Sequence, residues 1–258
     1  MHTFKSVSSS FATGRRATGR ISTPTVIPNN TYWFSSFENT AAEFGSILSD
    51  GATISTWKDK SGAAHDLNKA GNAGVKPVYK TNIQNGAGAV YFNGGNRSLN
   101  VNPISFMQSQ SAFTLFVVAK PGSFVDGMAL TCTDTDGYKI FYTSGHWAVT
   151  AANGTGIGAG SNSTKTSVFT LIYDGTKTGN ANRLKFRVNK TDQSLNFGVT
   201  TVGATTSASA SYFYAGRNSD DTARYNGYLM EIVLYSTALT PANVSDVENY
   251  FINRWQIV

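Results

Sequence analysis

Short runs of alternating apolar and polar residues, separated by turn-forming residues, recur along most of the chain. The run SAFTLFVVAK (111–120) is apolar at nearly every position, which predicts a strand that is buried on both faces. The other runs predict strands that bury every second side chain. They lie at 31–37, 52–57, 89–92, 211–217 and 225–236.

Two hairpins are predicted between these strands. GYKIFYTS and HWAVTA flank Gly145, which suits a tight turn. The segment 167–189 has the pattern strand, turn, strand, and Asp174 and Gly175 supply residues that favour turns. The Gly-rich stretch GTGIGAG (154–160) lacks the strand–loop–helix frame of a phosphate-binding loop, so a flexible hairpin loop is predicted there.

One helix is predicted near the C-terminus. Thr240 is a good N-cap, and Pro241 suits the first helical position. Apolar residues then recur at helical spacing, which predicts a stripe that docks on a sheet. They are Val244, Val247, Phe251 and Trp255.

Nine or more strands with one terminal helix predict an all-β protein, a sandwich of two antiparallel sheets. The predicted inner faces share one property, an apolar side chain at alternating strand positions. They are Phe113, Leu115, Val117, Leu171, Tyr173, Phe186, Val188, Phe213, Ile232 and Leu234.

Composition agrees with this fold. Of 258 residues only 14 % are charged, while 40 % are hydrophobic and 12 % aromatic, which argues against both a helical protein and a disordered chain. Cys132 is the one cysteine, so an intramolecular disulfide and a Cys-based zinc site are excluded. The first twenty residues hold no apolar run, so no signal peptide is predicted, and no segment is apolar enough to cross a membrane.

Positive charge is concentrated at the N-terminus. The chain has a net charge of +6, and four of these charges lie in residues 1–28, which contain no acidic residue. We therefore predict an extended basic arm over 1–28 and a folded domain over 29–258. The arm would bind other protein subunits, whereas a solvated tail is the alternative. The four basic residues are Lys5, Arg15, Arg16 and Arg20.

Several segments resemble a known family. WKDKSGAAHDL (57–67), Pro77 followed by VYFNGGNRSL (90–99), and the closing stretch 215–255 are similar to elements of laminin-G-like domains in the concanavalin A-like lectin/glucanase superfamily. The resemblance is to the type of domain found in phage virion structural proteins. It implies a jelly-roll sandwich with a short C-terminal helix, a fold that hosts lectins, hydrolases and structural modules.

The residues of these motifs have a structural interpretation. Trp57 is predicted to be a core anchor, while Asp59 and Ser61 are predicted to bond backbone groups within a tight loop. Glu231 lies between two apolar residues of a predicted strand. We expect it to pair with a neighbouring residue rather than to act as a catalyst.

No catalytic constellation is evident, and an enzyme is not predicted. A glycosidase needs two carboxylates across the scissile bond, yet the four glutamates are isolated in sequence. Asp220 and Asp221 adjoin, so their side chains would diverge on a strand.

Calcium is the one cofactor that the sequence raises, although none is predicted outright. CTDTDGY (132–138) offers Asp134 and Asp136 as candidate oxygen ligands. A hairpin turn that needs the same residue types is the alternative.

Glycan binding is a second candidate activity. Sugars stack on aromatic rings and bond to planar polar groups. The sequence supplies such groups in His146 and Trp147 and in the loop 217–224, where Asn218, Asp220 and Arg224 lie. The alternative interpretation of Trp147 is an inward-facing core residue.

The leading hypothesis is a non-enzymatic virion structural protein, made in a host cytoplasm. It would be a multi-copy, phage capsid- or tail-associated decoration protein, anchored to other virion proteins by its basic arm with the sandwich exposed. Neither a membrane nor nucleic acid is an expected partner. A carbohydrate-binding adhesin or receptor-binding module is the alternative, and a glycoside hydrolase is the third hypothesis.

Overall fold

Two antiparallel sheets pack face to face, and a helix covers the outer face of one of them. The computed structural model describes residues 22–69, 75–95, 97–101, 105–133, 137–158, 163–209, 212–220 and 224–258. The predicted all-β, two-sheet antiparallel sandwich with a short C-terminal helix is confirmed.

Sheet A has eight strands in the order β14-β13-β12-β7-β17-β5-β4, with β1 added beside β17. Its strands are β1 (Asn30–Ser35), β4 (Val78–Gln84), β5 (Ala87–Asn93), β7 (Ala112–Pro121), β12 (Ser167–Asp174), β13 (Leu184–Val188), β14 (Thr191–Gln193) and β17 (Asn226–Tyr235).

Sheet B has nine strands in the order β15-β11-β10-β9-β8-β16-β6-β3-β2. Its strands are β2 (Thr56–Trp57), β3 (Leu67–Lys69), β6 (Leu99–Val101), β8 (Ala129–Thr133), β9 (Tyr138–Thr143), β10 (His146–Ala151), β11 (Gly154–Gly158), β15 (Leu195–Asn196) and β16 (Phe213–Ala215).

The main core lies between the sheets. Nine of the ten predicted inner-face residues belong to it, and Val188 packs against it. The central strand β7 is buried over most of its length, as its continuous apolar run predicts, because its other face lies under the C-terminal helix. Trp57 is fully buried in the same core, which confirms its predicted role as an anchor.

Three α-helices lie in the described chain: α1 (Ala41–Phe44), α2 (Asn180–Arg183) and α3 (Pro241–Trp255). Two short 3₁₀ helices lie at Pro24–Val26 and Ser105–Met107. Helix α3 begins as predicted, since the Thr240 side chain accepts a hydrogen bond from the backbone N–H of Asn243. Its apolar stripe packs on the outer face of sheet A against residues such as Phe116 and Val233. This second core is the reason that sheet A is buried on both faces.

A β-bulge in β17 places Glu231 beneath α3. The register of β17 against β7 shifts between Leu229 and Glu231. Leu229 and Ile232 both belong to the core between the sheets, so Met230 and Glu231 lie together between two inward positions. A bulge has this effect because it adds one residue to one strand and interrupts the alternation of faces.

The loop that carries the family resemblance is organised by Asp59. Its carboxylate accepts hydrogen bonds from the backbone N–H groups of Trp33 (3.0 Å), Ser61 (2.9 Å) and His65 (3.1 Å), and from the Ser61 hydroxyl (2.8 Å). The Asp66 carboxylate in turn accepts from the backbone N–H of Asp59 at 2.9 Å. The predicted backbone-bonding role of these motif residues is confirmed.

Residues 24–27, at the end of the predicted arm, contact the domain. The Tyr235 hydroxyl donates to the carbonyl of Pro24 at 2.8 Å, and Ile27 is buried in the core below α3. The described end of the predicted arm therefore packs on the domain, because it carries apolar side chains. Lys5, Arg15, Arg16 and Arg20 lie outside the described residues.

Two local predictions are wrong. Residues 154–158 of the predicted flexible loop form the regular strand β11, which pairs with β10. The connection after Asp174 is longer than a tight turn and contains α2.

None of the helices that the structure describes is long and apolar enough to cross a membrane.

Candidate functional site

A cavity of about 310 Å³ lies between the two sheets at one edge of the sandwich. Strands β10 and β11 of sheet B form one wall, and strands β12, β13 and β14 of sheet A form the other. The backbone segment that enters β12 borders its mouth. The cavity exists because the inner faces of these edge strands are only partly filled by side chains.

Aromatic rings form the floor of the cavity. Trp147 and Phe169 lie with their ring centroids 4.7 Å apart, and Phe169 stacks on Phe186 at 6.3 Å. Trp147 is 4 % exposed, and Phe169 and Phe186 are each 1 % exposed, so little surface of any ring is open to the cavity. No hydrogen bond to its indole Nε1 occurs among the described residues, whereas the indole of Trp57 donates to the carbonyl of Ser35 at 2.8 Å.

One of the three glycines of β11, Gly158, lines the cavity. Gly154, Gly156 and Gly158 occupy the inward positions of β11, and the residues between them face the outside of sheet B. The strand therefore places no side chain between the sheets. A Cβ on Gly154 would meet Val202 at 2.3 Å, so there the chain itself fills the gap. A Cβ on Gly158 would lie 3.1 Å from the Trp147 carbonyl oxygen, 3.6 Å from Gln193 and 3.8 Å from Phe186. Gly158 itself lines the cavity, so a side chain there would crowd it.

Polar groups surround the aromatic floor. They are Ser163, Lys165, Ser167, Asn189, Thr191 and Gln193. The side-chain oxygen Oδ1 of Asn189 accepts a hydrogen bond from the backbone N–H of Val168 at 2.8 Å, which fixes the orientation of this side-chain amide. The described lining contains no Asp or Glu side chain.

The five predicted glycan-binding residues are not brought together. Trp147 is the only one that lines the cavity. It faces inward, so the expected exposed platform is wrong and the alternative of a core residue is confirmed. His146 precedes it on β10 and lies on the opposite face because strand side chains alternate.

The loop residues of that set lie elsewhere. Asn218 is 8 % exposed, and Asp220 is exposed. The backbone of Arg224 forms an isolated antiparallel β-bridge with that of Arg217, just after β16. Strands β8 and β9 separate β16 from β10. The sequence alone does not show how far the loop 217–224 lies from His146 and Trp147 in the fold.

The candidate calcium ligands Asp134 and Asp136 lie outside the described residues, so that expectation stays a prediction. Within the described ranges, no group of three or more His, Cys, Asp or Glu residues could hold a metal ion.

Glu38 and Glu43, which are close in sequence, and the distant Glu231 converge at one end of α3. Lys60 Nζ contacts Glu43 at 2.5 Å and Glu38 at 3.1 Å. Arg254 pairs with Glu38 and lies 3.5 Å from Glu231. The sequence analysis missed this cluster because each glutamate comes from a different element.

The cluster is a structural network rather than an open acid–base pair. Glu231 is fully buried and accepts from the indole N–H groups of Trp33 (2.8 Å) and Trp255 (2.6 Å). Glu43 is 1 % exposed and closes a capping box with Thr40. Their carboxylates are therefore occupied by internal donors, which confirms the expectation that Glu231 pairs with neighbours.

The surroundings of Glu231 and Glu38 shift the pKa values of these two carboxyl groups in opposite directions. Burial raises the pKa of Glu231, and the charge of Arg254 offsets only part of this effect. Burial also acts to raise the pKa of Glu38, but hydrogen bonds and charges from Arg254 and Lys60 outweigh it, so the pKa is lowered.

A second, open groove of about 770 Å³ runs between the β12–β14 edge and the start of α3. Its carboxylates are also engaged. Asp192 pairs with Arg187 at 2.6 Å, and Asp174 lies 3.7 Å from Lys177.

Comparison with known proteins bears on the fold. No family model and no curated protein sequence matches the chain. Solved structures do match it. Trypanosoma rangeli sialidase, in complex with the inhibitor DANA, has a TM-score of 0.54 at 16 % identity, over 84 % of this chain and 32 % of its own.

Two further matches are carbohydrate-active proteins. One is domain 4 of AbnA, an extracellular GH43 arabinanase from Geobacillus stearothermophilus, in complex with arabinotriose. Its TM-score is 0.53 at 18 % identity, and the match covers 85 % of this chain and 98 % of that domain. The other is an arabinofuranosidase complexed with arabinofuranosyl-α-1,2-xylobiose, with a TM-score of 0.58 at 13 % identity over 79 % of this chain and 51 % of the arabinofuranosidase. At these identities the matches show the fold, a two-sheet β-sandwich, and nothing finer.

The leading hypothesis of a virion structural protein is wrong. The similar structures are glycosidases and domains that hold carbohydrates, and they give no support to a virion role or to virion partners. The hypothesis depended on the basic arm and on a fold that serves many functions. The chain spans about a third of the sialidase that it matches, 32 % of that protein's length.

Proposed function

We propose that the chain is a carbohydrate-binding domain that holds one sugar unit in the cavity between the sheets and does not cleave it. The observation that carries this proposal is an aromatic floor ringed by hydroxyl, amide and ammonium groups. A sugar ring combines apolar C–H groups with a rim of hydroxyls. The small exposed parts of the three rings offer apolar contacts to the first, and the polar lining offers hydrogen-bonding groups to the second.

The volume of the cavity supports a single sugar unit. Ligand sites in proteins range from about 300 to 1,000 Å³, and this cavity of about 310 Å³ lies at the lower end. A longer glycan would place one residue inside and leave the rest outside the mouth.

The distribution of carboxylates supports binding without hydrolysis. A glycosidase requires an acid and a second carboxylate on opposite sides of the bond. The described cavity lining supplies neither, and the clustered glutamates near α3 accept hydrogen bonds from internal donors. The similar proteins act on or hold carbohydrates, which is consistent with a binding role for this part of the fold.

A glycan array with the purified chain tests the proposal. We expect binding to at least one class of glycan, with no release of reducing ends when that glycan is incubated with the protein. Absence of binding across the array would overturn the proposal. Cleavage of a bound glycan would replace it with the hydrolase hypothesis.

A further inference from the structure

We infer, on the basis of the proposed function, that the sugar unit in the cavity carries a carboxylate and that the ammonium group of Lys165 recognises it. Lys165 is the charged side chain among the described residues that line the cavity. In a lining that also includes Val258, the carboxylate would thus meet one side-chain cation and no side-chain anion, which favours acidic over neutral sugars.

Lys165 is available for this contact. It is exposed, and it forms no ion pair within the part of the chain that the structure describes. Its backbone is held in place, because its N–H donates to the Ser163 hydroxyl at 3.1 Å and its carbonyl accepts from the Ser167 hydroxyl at 3.5 Å. The ammonium group therefore extends from a fixed point at the mouth of the cavity.

The neighbouring cations are committed elsewhere. Lys190 donates to the side chain of Asn249 at 2.8 Å. Arg187 contacts Glu248 at 2.9 Å and Asp192 at 2.6 Å on the outer face of sheet A. Lys165 therefore supplies the one side-chain positive charge of the described lining.

The polar groups of the lining point to the same class of ligand. Sugar hydroxyls donate most strongly to carboxylates, and the described lining has no Asp or Glu side chain. The amide of Asn189 is already engaged, through Val168 and through Ser167 at 3.4 Å. The strongest electrostatic contact left for a ligand is the one between its own negative charge and Lys165.

Paired acidic and neutral sugars test the inference directly. Methyl glycosides of glucuronic acid and glucose, and of galacturonic acid and galactose, would be titrated against the full chain by ligand-observed NMR. For at least one pair, we expect the acid to bind about fivefold more tightly, the size of an exposed ion pair. The preference should shrink as salt is added.

Substitutions assign the preference to one side chain. Lys165→Met should reduce the ratio of affinities for acid and neutral sugar to about one, and Lys165→Arg should largely keep it. Lys185→Met is the matched control, because Lys185 is an exposed lysine on the outward face of β13. It should leave the ratio unchanged.

The outcomes separate this inference from the proposed function. Equal affinity for acid and neutral sugars in the wild type, or an unchanged ratio in Lys165→Met, would overturn the inference while carbohydrate binding stands. Failure of every sugar and every array glycan to bind would overturn the proposed function, and the inference with it.

Discussion

Replacement of Glu231 by alanine is expected to lower the free energy of unfolding by about 3–5 kcal/mol. The carboxylate is fully buried and accepts hydrogen bonds from the indoles of Trp33 and Trp255. Its removal leaves both indole N–H groups without their acceptor and leaves a cavity. Arg254 loses one of its two carboxylate neighbours and keeps Glu38. Urea denaturation followed by tryptophan fluorescence measures the loss.

An isosteric variant separates hydrogen bonding from cavity formation. Glu231→Gln keeps the volume and one acceptor oxygen, so it should cost less than Glu231→Ala. Asp192→Asn is the surface control, since Asp192 is 76 % exposed, and its effect should stay below about 1 kcal/mol. A change of less than 1 kcal/mol in Glu231→Ala would mean that the buried network does not stabilise the fold.

The same network predicts a pH dependence with a definite sign. Burial raises the pKa of Glu231 above its ordinary value of 4.5. The folded state therefore holds this proton more tightly than the unfolded chain does. The stability contributed by the carboxyl group is fully present below pH 4.5 and is lost as the pH rises through the raised pKa. The advantage of the wild type over Glu231→Gln should thus be largest in acid and decrease toward neutral pH.

Substitution of Gly158 by valine is expected to weaken glycan binding at least tenfold, about 1.4 kcal/mol or more. The new Cβ would lie 3.6 Å from Gln193 and 3.8 Å from Phe186, and two methyl groups would extend into a cavity of only about 310 Å³. No polar group of the site is removed, so the loss would report on space alone. Titration calorimetry with a glycan selected on the array measures it.

A second glycine provides a matched control. A Cβ on Gly158 would meet the carbonyl oxygen of Trp147 at 3.1 Å, and a Cβ on Gly203 would meet that of Ala152 at 3.1 Å. Gly203→Val therefore imposes a similar crowding at the other end of β10, away from the cavity. It should bind glycans like the wild type. If Gly158→Val and Gly203→Val bind the glycan with equal affinity, the cavity is not the binding site.

Much of the fold was predictable because it depends on local patterns. The apolar run of β7, the alternation in β12 and β17, and the Thr240–Pro241 cap each indicate the element that forms. The bulge at Met230 was not predictable, since one extra residue in a strand leaves no mark on its composition. Strand β11 was missed because glycine disfavours strands. Two of its inward positions are crowded by residues distant in sequence, Val202 at Gly154 and Leu195 at Gly156.

The candidate site was far less accessible to sequence analysis. Trp147 was singled out, but for exposure that it does not have. Lys165, Asn189 and Gln193 join it only because β14 folds back beside β13 and places these segments opposite β10. Such convergence depends on tertiary packing, which no local pattern encodes.

The indole N–H resonances offer the most direct test of the proposed binding site. The chain has four tryptophans, and the indoles of Trp33, Trp57 and Trp255 are held by internal acceptors. Titration with the selected glycan should shift the indole signal of Trp147, assigned with a Trp147→Phe variant, and leave the other three in place. Saturable binding that leaves the Trp147 signal unmoved would contradict the location of the sugar between the sheets.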